Sequence, residues 1–234
     1  MIALVIFLII ALMAIFGPMI SPYSYDGMDT AIMNQRPSTA HWFGTDRFGR
    51  DLFTRVLYGA RISLMVGIVT AVINTIIGVI YGGIAGYVGG RVDMWMMRLT
   101  DILYSIPELL YIILIKLIFG SNVRSIIIGV CVAGWISMAR MVRSQIITLK
   151  EQEFALAAFV LGANSRRILF KHLIVNSLGT IIVTVTLMIP QEIFMEAFLS
   201  FVGVGISAPM AEQKVGKRSA IDTWLSIGAG WFLM

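Results

Sequence analysis

The chain has 234 residues, of which 58% are hydrophobic and only 13% charged, about half the charged share of an ordinary soluble domain. That leaves too little polar surface to coat a soluble globule, so lipid is the expected solvent and the length is counted in spans of roughly 20 apolar residues. The net charge of +5 is expected in cytoplasmic loops rather than on nucleic acid, the single cysteine (Cys131) excludes an internal disulfide, and the distant His41 and His172 offer no metal site.

The first run, Ile2–Ile20, is apolar throughout. No basic segment precedes it and no A-x-A-like site follows it, so it is read as a retained first helix rather than a signal peptide. Residues 21–61 form a polar connection broken by Pro22, Pro37 and Gly44. Within it, residues 46–61 carry Phe48, Leu52, Val56 and Leu57 at helical spacing. Two readings stand there: an interfacial helix along the outer face, or a simple extension of the next span. Spans are then expected at 62–88, at 94–119 with Pro107 inside, at 125–141, and at 178–204 with Pro190 inside. A last apolar run, 224–234, reaches about 16 Å at 1.5 Å per residue, roughly half a bilayer.

The predicted fold is therefore all-α, a polytopic membrane helix bundle of five full spans plus a partial sixth. Its expected divisions are a first transmembrane helix (1–21), an extracytoplasmic loop with interfacial helix (22–61), and a core (62–234) holding a cytoplasmic loop at 145–176. The segment 140–172 holds six basic residues against two acidic, and 21–61 five against four. The basic contrast is small, but alternation puts the Gly89-Gly90-Arg91 turn on the same side as 140–172. Both are assigned to the cytoplasm.

That cytoplasmic loop is too polar to span, yet it reads as helix. Glu153 is followed by Phe154, Ala155, Leu156, Ala157, Ala158, Phe159, Val160 and Leu161, rich in helix formers, and then by Gly162, a usual helix stop. Asn164 or Ser165 can cap a second helix through Ile168, Leu169, Leu173 and Ile174. An apolar helix on an aqueous face needs a cover. A partner's groove would supply one; the inner leaflet, with Arg166, Arg167 and Lys171 as basic flanks, would supply another.

The run from Glu153 to Asn176 resembles the conserved cytoplasmic loop of binding-protein-dependent ABC permeases, Glu-Tyr-x-Glu-Ala-Ala-x-x-Leu-Gly-Ala followed by a basic-apolar stretch ending His-Ile-Leu-Pro-Asn. Ala157, Ala158, Leu161, Gly162, Ala163, His172 and Asn176 match it. Leu156 stands where that loop usually has Glu, and Val175 where it has Pro. The likeness extends through Phe43-Gly-Thr-Asp-Arg-Phe-Gly-Arg-Asp51, Tyr58-Gly-Ala-Arg-Ile-Ser-Leu64, Ala85-Gly-Tyr-Val-Gly-Gly-Arg-Val-Asp93, Met97-Arg-Leu-Thr-Asp101, Ala139-Arg140 with Val142-Arg143, and Phe198-Leu-Ser-Phe-Val-Gly-Val-Gly205. In this order the motifs are similar to those of the C-type subunit of dipeptide and oligopeptide permeases. His41-Trp42-Phe43-Gly44 and Asp101-Ile-Leu-Tyr-Ser-Ile-Pro107 fit the oligopeptide branch best. After Pro209 the match weakens, and 210–223 diverges from the family pattern.

The resemblance implies a non-catalytic transmembrane subunit in the bacterial cytoplasmic (inner) membrane. Its implied partners are a homologous second permease subunit, two cytoplasmic ATPases carrying ATP and Mg, an extracytoplasmic peptide-binding protein, membrane lipid and the peptide itself. ATPase docking is expected at Glu153, Ala157, Ala158, Leu161 and Gly162. No cofactor is expected on this chain. Gly216-Lys217 is not a phosphate loop, because Ala211 and Arg218 stand where Gly and Ser or Thr are needed.

Ionisable residues within spans are costly and often functional. Asp101, Glu192 and Glu196 are candidates for the translocation path, with pairing between neighbouring helices as the alternative; Glu108 lies in a span too, and Lys116 is expected to snorkel. Related permeases import nickel chelates, glutathione or antimicrobial peptides, so these cargoes remain alternatives. A stand-alone secondary transporter or channel is a further rival, but no internal repeat supports it.

Overall fold

A computed structural model describes residues 2–203, with side-chain burial from Val5 onward. Among the described residues all regular structure is helical, and the one β feature is an isolated bridge between Thr45 and Asp51. In chain order the helices are α1 (Ile2–Ile20), a short 3-10 turn (Thr30–Ile32), α2 (Leu52–Val88), α3 (Gly90–Tyr104), α4 (Glu108–Phe119), α5 (Val123–Ala133), α6 (Trp135–Leu149), α7 (Glu153–Val160), α8 (Ser165–Arg167), a π-helical turn (Ile168–Leu173) and α9 (Ile174–Phe201). The expected partial sixth span at 224–234, the divergent 210–223 and Gly216-Lys217 lie outside the described residues.

Among the described residues, three helical stretches are long and apolar enough to cross a membrane: Leu52–Val88, Val123–Leu149 and Ser165–Phe201. A fourth arises if α3 and α4 count as one span, but these meet at 76°. The single third span expected at 94–119 is thus corrected to a broken pair. The reason is Pro107, which has no N–H and disfavours helical geometry in the residue before it. The chain turns there instead of bending gently. Pro190 has no such effect, and α9 continues through it. The stretch Val5–Ile20 of α1 is a shorter apolar helix.

The chain divides into two compact units, one formed by the described residues up to Met65 with those from Glu196 onward, the other by Val66–Met195. In the first, side chains of residues 46–51 set where α2 starts. Gly49 takes φ +70, and the Asp46 carboxylate accepts from the N–H groups of Phe48 (2.8 Å) and Arg50 (2.9 Å), so 46–51 forms a side-chain-held turn. Asp51 then caps α2, accepting from the N–H and Oγ1 of Thr54, both at 2.7 Å. Helix begins at Leu52 and runs on without a break. Residues 52–61 are thus continuous with the helix that follows. At about 55 Å for its 37 residues, α2 exceeds the hydrocarbon thickness by about 25 Å. The preceding loop is anchored by His41, whose Nδ1 lies 3.0 Å from Asp51, and by Tyr25 stacked on Tyr58 at 4.2 Å. Burial, first, and neighbouring Tyr58 hold the Tyr25 hydroxyl above its ordinary pKa.

In the second unit, α2 packs on α6 through glycines at helical spacing. A Cβ at Gly78 would meet Met138 at 2.6 Å, one at Gly86 would meet the Arg143 carbonyl at 2.8 Å, and one at Gly82 would strike the backbone of Ala139. Small residues let two backbones approach where lipid provides no hydrophobic drive, so dispersion does the work. The core beside this seam joins Ala71, Met138, Val142 and Ile146 to Ala155, Ala158, Ile168, Leu169 and Leu173. Arg143 grips Asp93 as a fork, with Nη2 2.5 Å from Oδ2 and Nε on Oδ1. The Lys150 ammonium donates to the Gly86 carbonyl at 3.1 Å. These ties bring the Gly89-Gly90 turn and the end of α6 to one end of the unit.

Candidate coupling site

The helix–bend–helix read from 153–176 forms as α7, a tight turn and the rod Ser165–Phe201. Its geometry follows from one glycine. Leu161 ends α7, and Gly162 takes φ +78, a region costly for residues with a Cβ. There the N–H of Gly162 donates to the Phe159 carbonyl (2.9 Å) and that of Ala163 to the Ala158 carbonyl (3.0 Å). This is the paired-bond arrangement of a Schellman cap. Of the two expected caps for the following helix, Asn164 serves, its side chain accepting from the Arg167 N–H at 2.8 Å.

The two faces of α7 have different fates. Ala155 and Ala158 are buried against Ile168, Leu169 and Leu173, and Ala163 packs beside them. Their small side chains bring α7 close to the rod. The opposite face and the tip stay open: Phe159 is 70% exposed, Val160 83% and Leu161 86%, with Leu156 beside them. Glu153 stands exposed in the first turn, and Ala157 is also exposed. Nothing lies within 4 Å of a Cβ placed on Gly162. Of the five expected docking residues, Glu153, Ala157, Leu161 and Gly162 thus lie on open surface. Ala158 is turned into the chain's own core, because at 3.6 residues per turn it shares the face of Ala155. Sequence reading passed over Phe159 and Val160. The run of apolar residues on every side of α7 gave no phase by which to sort them.

Exposed Arg166, Arg167 and Lys171 flank this tip. A cleft of about 460 Å³ is lined by Ile84, Tyr87, Ser165, Arg166, Leu169 and Phe170. The described residues hold no group of three or more His, Cys, Asp or Glu side chains placed to bind a metal ion.

The three path candidates are not brought together. Asp101 is exposed and accepts from Arg140 Nη2 at 2.8 Å, while that guanidinium lies over the Tyr104 ring at 4.6 Å. Glu192 is buried and accepts from Asn74 Nδ2 at 3.1 Å. Glu196 is buried as well, accepting from Ser63 Oγ (2.5 Å) and Ser200 Oγ (3.0 Å). Both glutamates thus accept from hydroxyl or amide donors on α2 or their own helix within the protein.

Comparison with known sequences agrees with this architecture. The profile of the binding-protein-dependent transport system inner membrane component matches residues 78–234. That of the N-terminal TM domain of oligopeptide transport permease C matches residues 1–37. The oligopeptide transport system permease protein OppC of Bacillus subtilis (strain 168) is 49% identical over 90% of this chain and 69% of its own length. The dipeptide transport system permease protein DppC of the same organism is 48% identical over 100% of this chain and 72% of its own. OppC of Escherichia coli (strain K12) is 44% identical over 99% of this chain and 79% of its own. Between them the two profiles take in both ends of the sequence, and the chain belongs to the family of binding-protein-dependent transport system inner membrane components.

Proposed function

We propose that this chain is the transmembrane subunit of an ATP-driven importer of oligopeptides or dipeptides, forming part of the translocation path. The observation that carries the coupling role is the apolar tip Phe159-Val160-Leu161, held in a fixed direction by the Gly162 turn and braced on the core through Ala155 and Ala158. A tip so placed can pass a push to the rod Ser165–Phe201, whereas a helix lying loosely on the membrane could not. Separate ATPase subunits carrying ATP and Mg would cover the tip. Glu153, Ala157, Leu161 and Gly162 would meet them directly, with Ala158 positioning the helix. Peptide cargo fits the relatives named for oligopeptide and dipeptide transport. Nickel chelate, glutathione or stand-alone channel activity has no comparable support. This chain would do no covalent chemistry and bind no cofactor itself.

The proposed assembly adds a homologous permease subunit and an extracytoplasmic peptide-binding protein. In it, α1 would be a full span and residues 22–61 the outer connection. Asp101 is the path candidate whose exposure suits that role; Glu192 and Glu196 act as interhelical ties.

Copurification with the cognate ATPases tests the reading. Gly162→Trp is expected to insert into the membrane normally, lose the ATPases and abolish ATP-driven peptide uptake. Normal uptake by this variant would sink the coupling assignment.

A further inference from the structure

Within the unit Val66–Met195, one buried polar pair has an unfilled hydrogen-bond position. Asn74 of α2 is fully buried and Glu192 of α9 is 7% exposed. The amide gives one N–H to Glu192 Oε1 at 3.1 Å. Its oxygen, Asn74 Oδ1, is buried and has no donor. Among the described residues no Lys, Arg or His stands within ion-pair distance of Glu192. The other titratable groups in electrostatic reach are the Glu108 carboxyl on α4 and the Cys131 thiol on α5, neither of them a cation. The amide is also wedged: a Cβ on Gly134, at the junction of α5 and α6, would run into its Nδ2 and Cγ.

An ionised Glu192 would be a buried charge with one neutral donor, facing an amide whose acceptor is empty. Both faults are expensive inside a membrane protein. A single proton removes both. A carboxyl that already accepts from a primary amide can, when protonated, return an O–H to the same amide's oxygen, closing a ring of two hydrogen bonds. We propose that Glu192 carries a proton and donates it to Asn74 Oδ1, so that α2 and α9 are joined by an uncharged acid–amide clasp. The clasp is a proton-binding site, and its role is to hold the two long helices in register while leaving no net charge between them.

The test uses the assembled transporter in lipid nanodiscs. Glu192→Gln keeps the shape of the neutral acid and still offers a donor, so its thermal midpoint should match wild type at neutral pH. Glu192→Ala should lower it by roughly 4–8 °C, from the lost bonds and the cavity. Alkaline pH should destabilise wild type but not Glu192→Gln. Infrared difference spectra, wild type minus Glu192→Gln, should show the carbonyl stretch of a protonated acid at neutral pH. Asn74→Val, which removes the acceptor, should shift that band. Should Glu192→Gln fail to assemble, wild type minus Asn74→Val must still show the band. A carboxylate pair of bands in place of the acid carbonyl, or a Glu192→Gln variant as unstable as Glu192→Ala, would overturn the proposal.

Discussion

The backbone N–H of Ala163 donates to the carbonyl of Ala158 at 3.0 Å, across the left-handed turn at Gly162. This bond ties the buried face of α7 to the start of the rod Ser165–Phe201. It also fixes where the exposed Leu161 points. Anchor and tip are a few residues apart, yet one is inside the protein and the other outside.

Gly162→Ala should test the turn by itself. No neighbour lies within 4 Å of the added Cβ, so the cost is conformational, about 1 kcal/mol. Thermal unfolding should fall by roughly 2–4 °C, with membrane insertion unchanged. A steric explanation would require a larger loss.

The two faces of α7 should respond oppositely. Ala158→Leu overpacks a filled site beside Ile168 and Leu169 and should cost about 1–3 kcal/mol of stability. Leu161 is 86% exposed, so Leu161→Ala should change stability by no more than about 0.5 kcal/mol. It should nevertheless weaken ATPase binding about tenfold or more, the usual loss for an interface anchor. Titrating detergent-solubilised permease with ATPase while recording unfolding separates the two effects.

The two ion pairs between α3 and α6 should not be equivalent. Asp93 is mostly buried and gripped by both nitrogens of the Arg143 fork. Asp93→Asn should cost about 1.5–3 kcal/mol, as for a hydrogen bond to a charged group. Asp101 and Arg140 have side chains 62% and 40% exposed, and Asp101→Asn should cost under about 1 kcal/mol. Denaturation of each variant at low and high salt checks the ranking.

The glycine seam gives a sharper contrast. Gly82→Ala should displace α6, because its Cβ would strike the Ala139 backbone, which cannot yield as a side chain can. Gly179→Ala meets nothing and should fold normally or gain slightly in stability. Yields of folded protein after detergent extraction compare the two.

Local chemistry made much of this legible in the sequence. The limits of α1, the stop at Gly162 and the cap at Asn164 all rest on neighbours a few residues apart, and all form. Boundaries set by competition were harder. Residues 46–61 carry helical spacing, but at 46–51 the Asp46 side chain claims backbone N–H groups that a helix would use. Pro107 and Pro190 both lie in apolar runs, and sequence alone does not tell a 76° break from an uninterrupted helix. Partners distant in the chain left no local signal. Asn74 and Glu192 are 118 residues apart, and the match of Gly78, Gly82 and Gly86 to α6 needs both helices in place. The burial of Ala158 likewise depends on the rod that follows it.

The central claim is that the tip of α7 is what the ATPase covers. A photo-crosslinking amino acid at Leu161, with a second variant at Ala158 as the buried control, tests it in the assembled transporter. The account predicts a permease–ATPase adduct from position 161 that changes in yield when ATP is added, and none from position 158. Absence of an ATPase adduct at 161, with lipid labelled there instead, would contradict it and favour a helix resting on the inner leaflet.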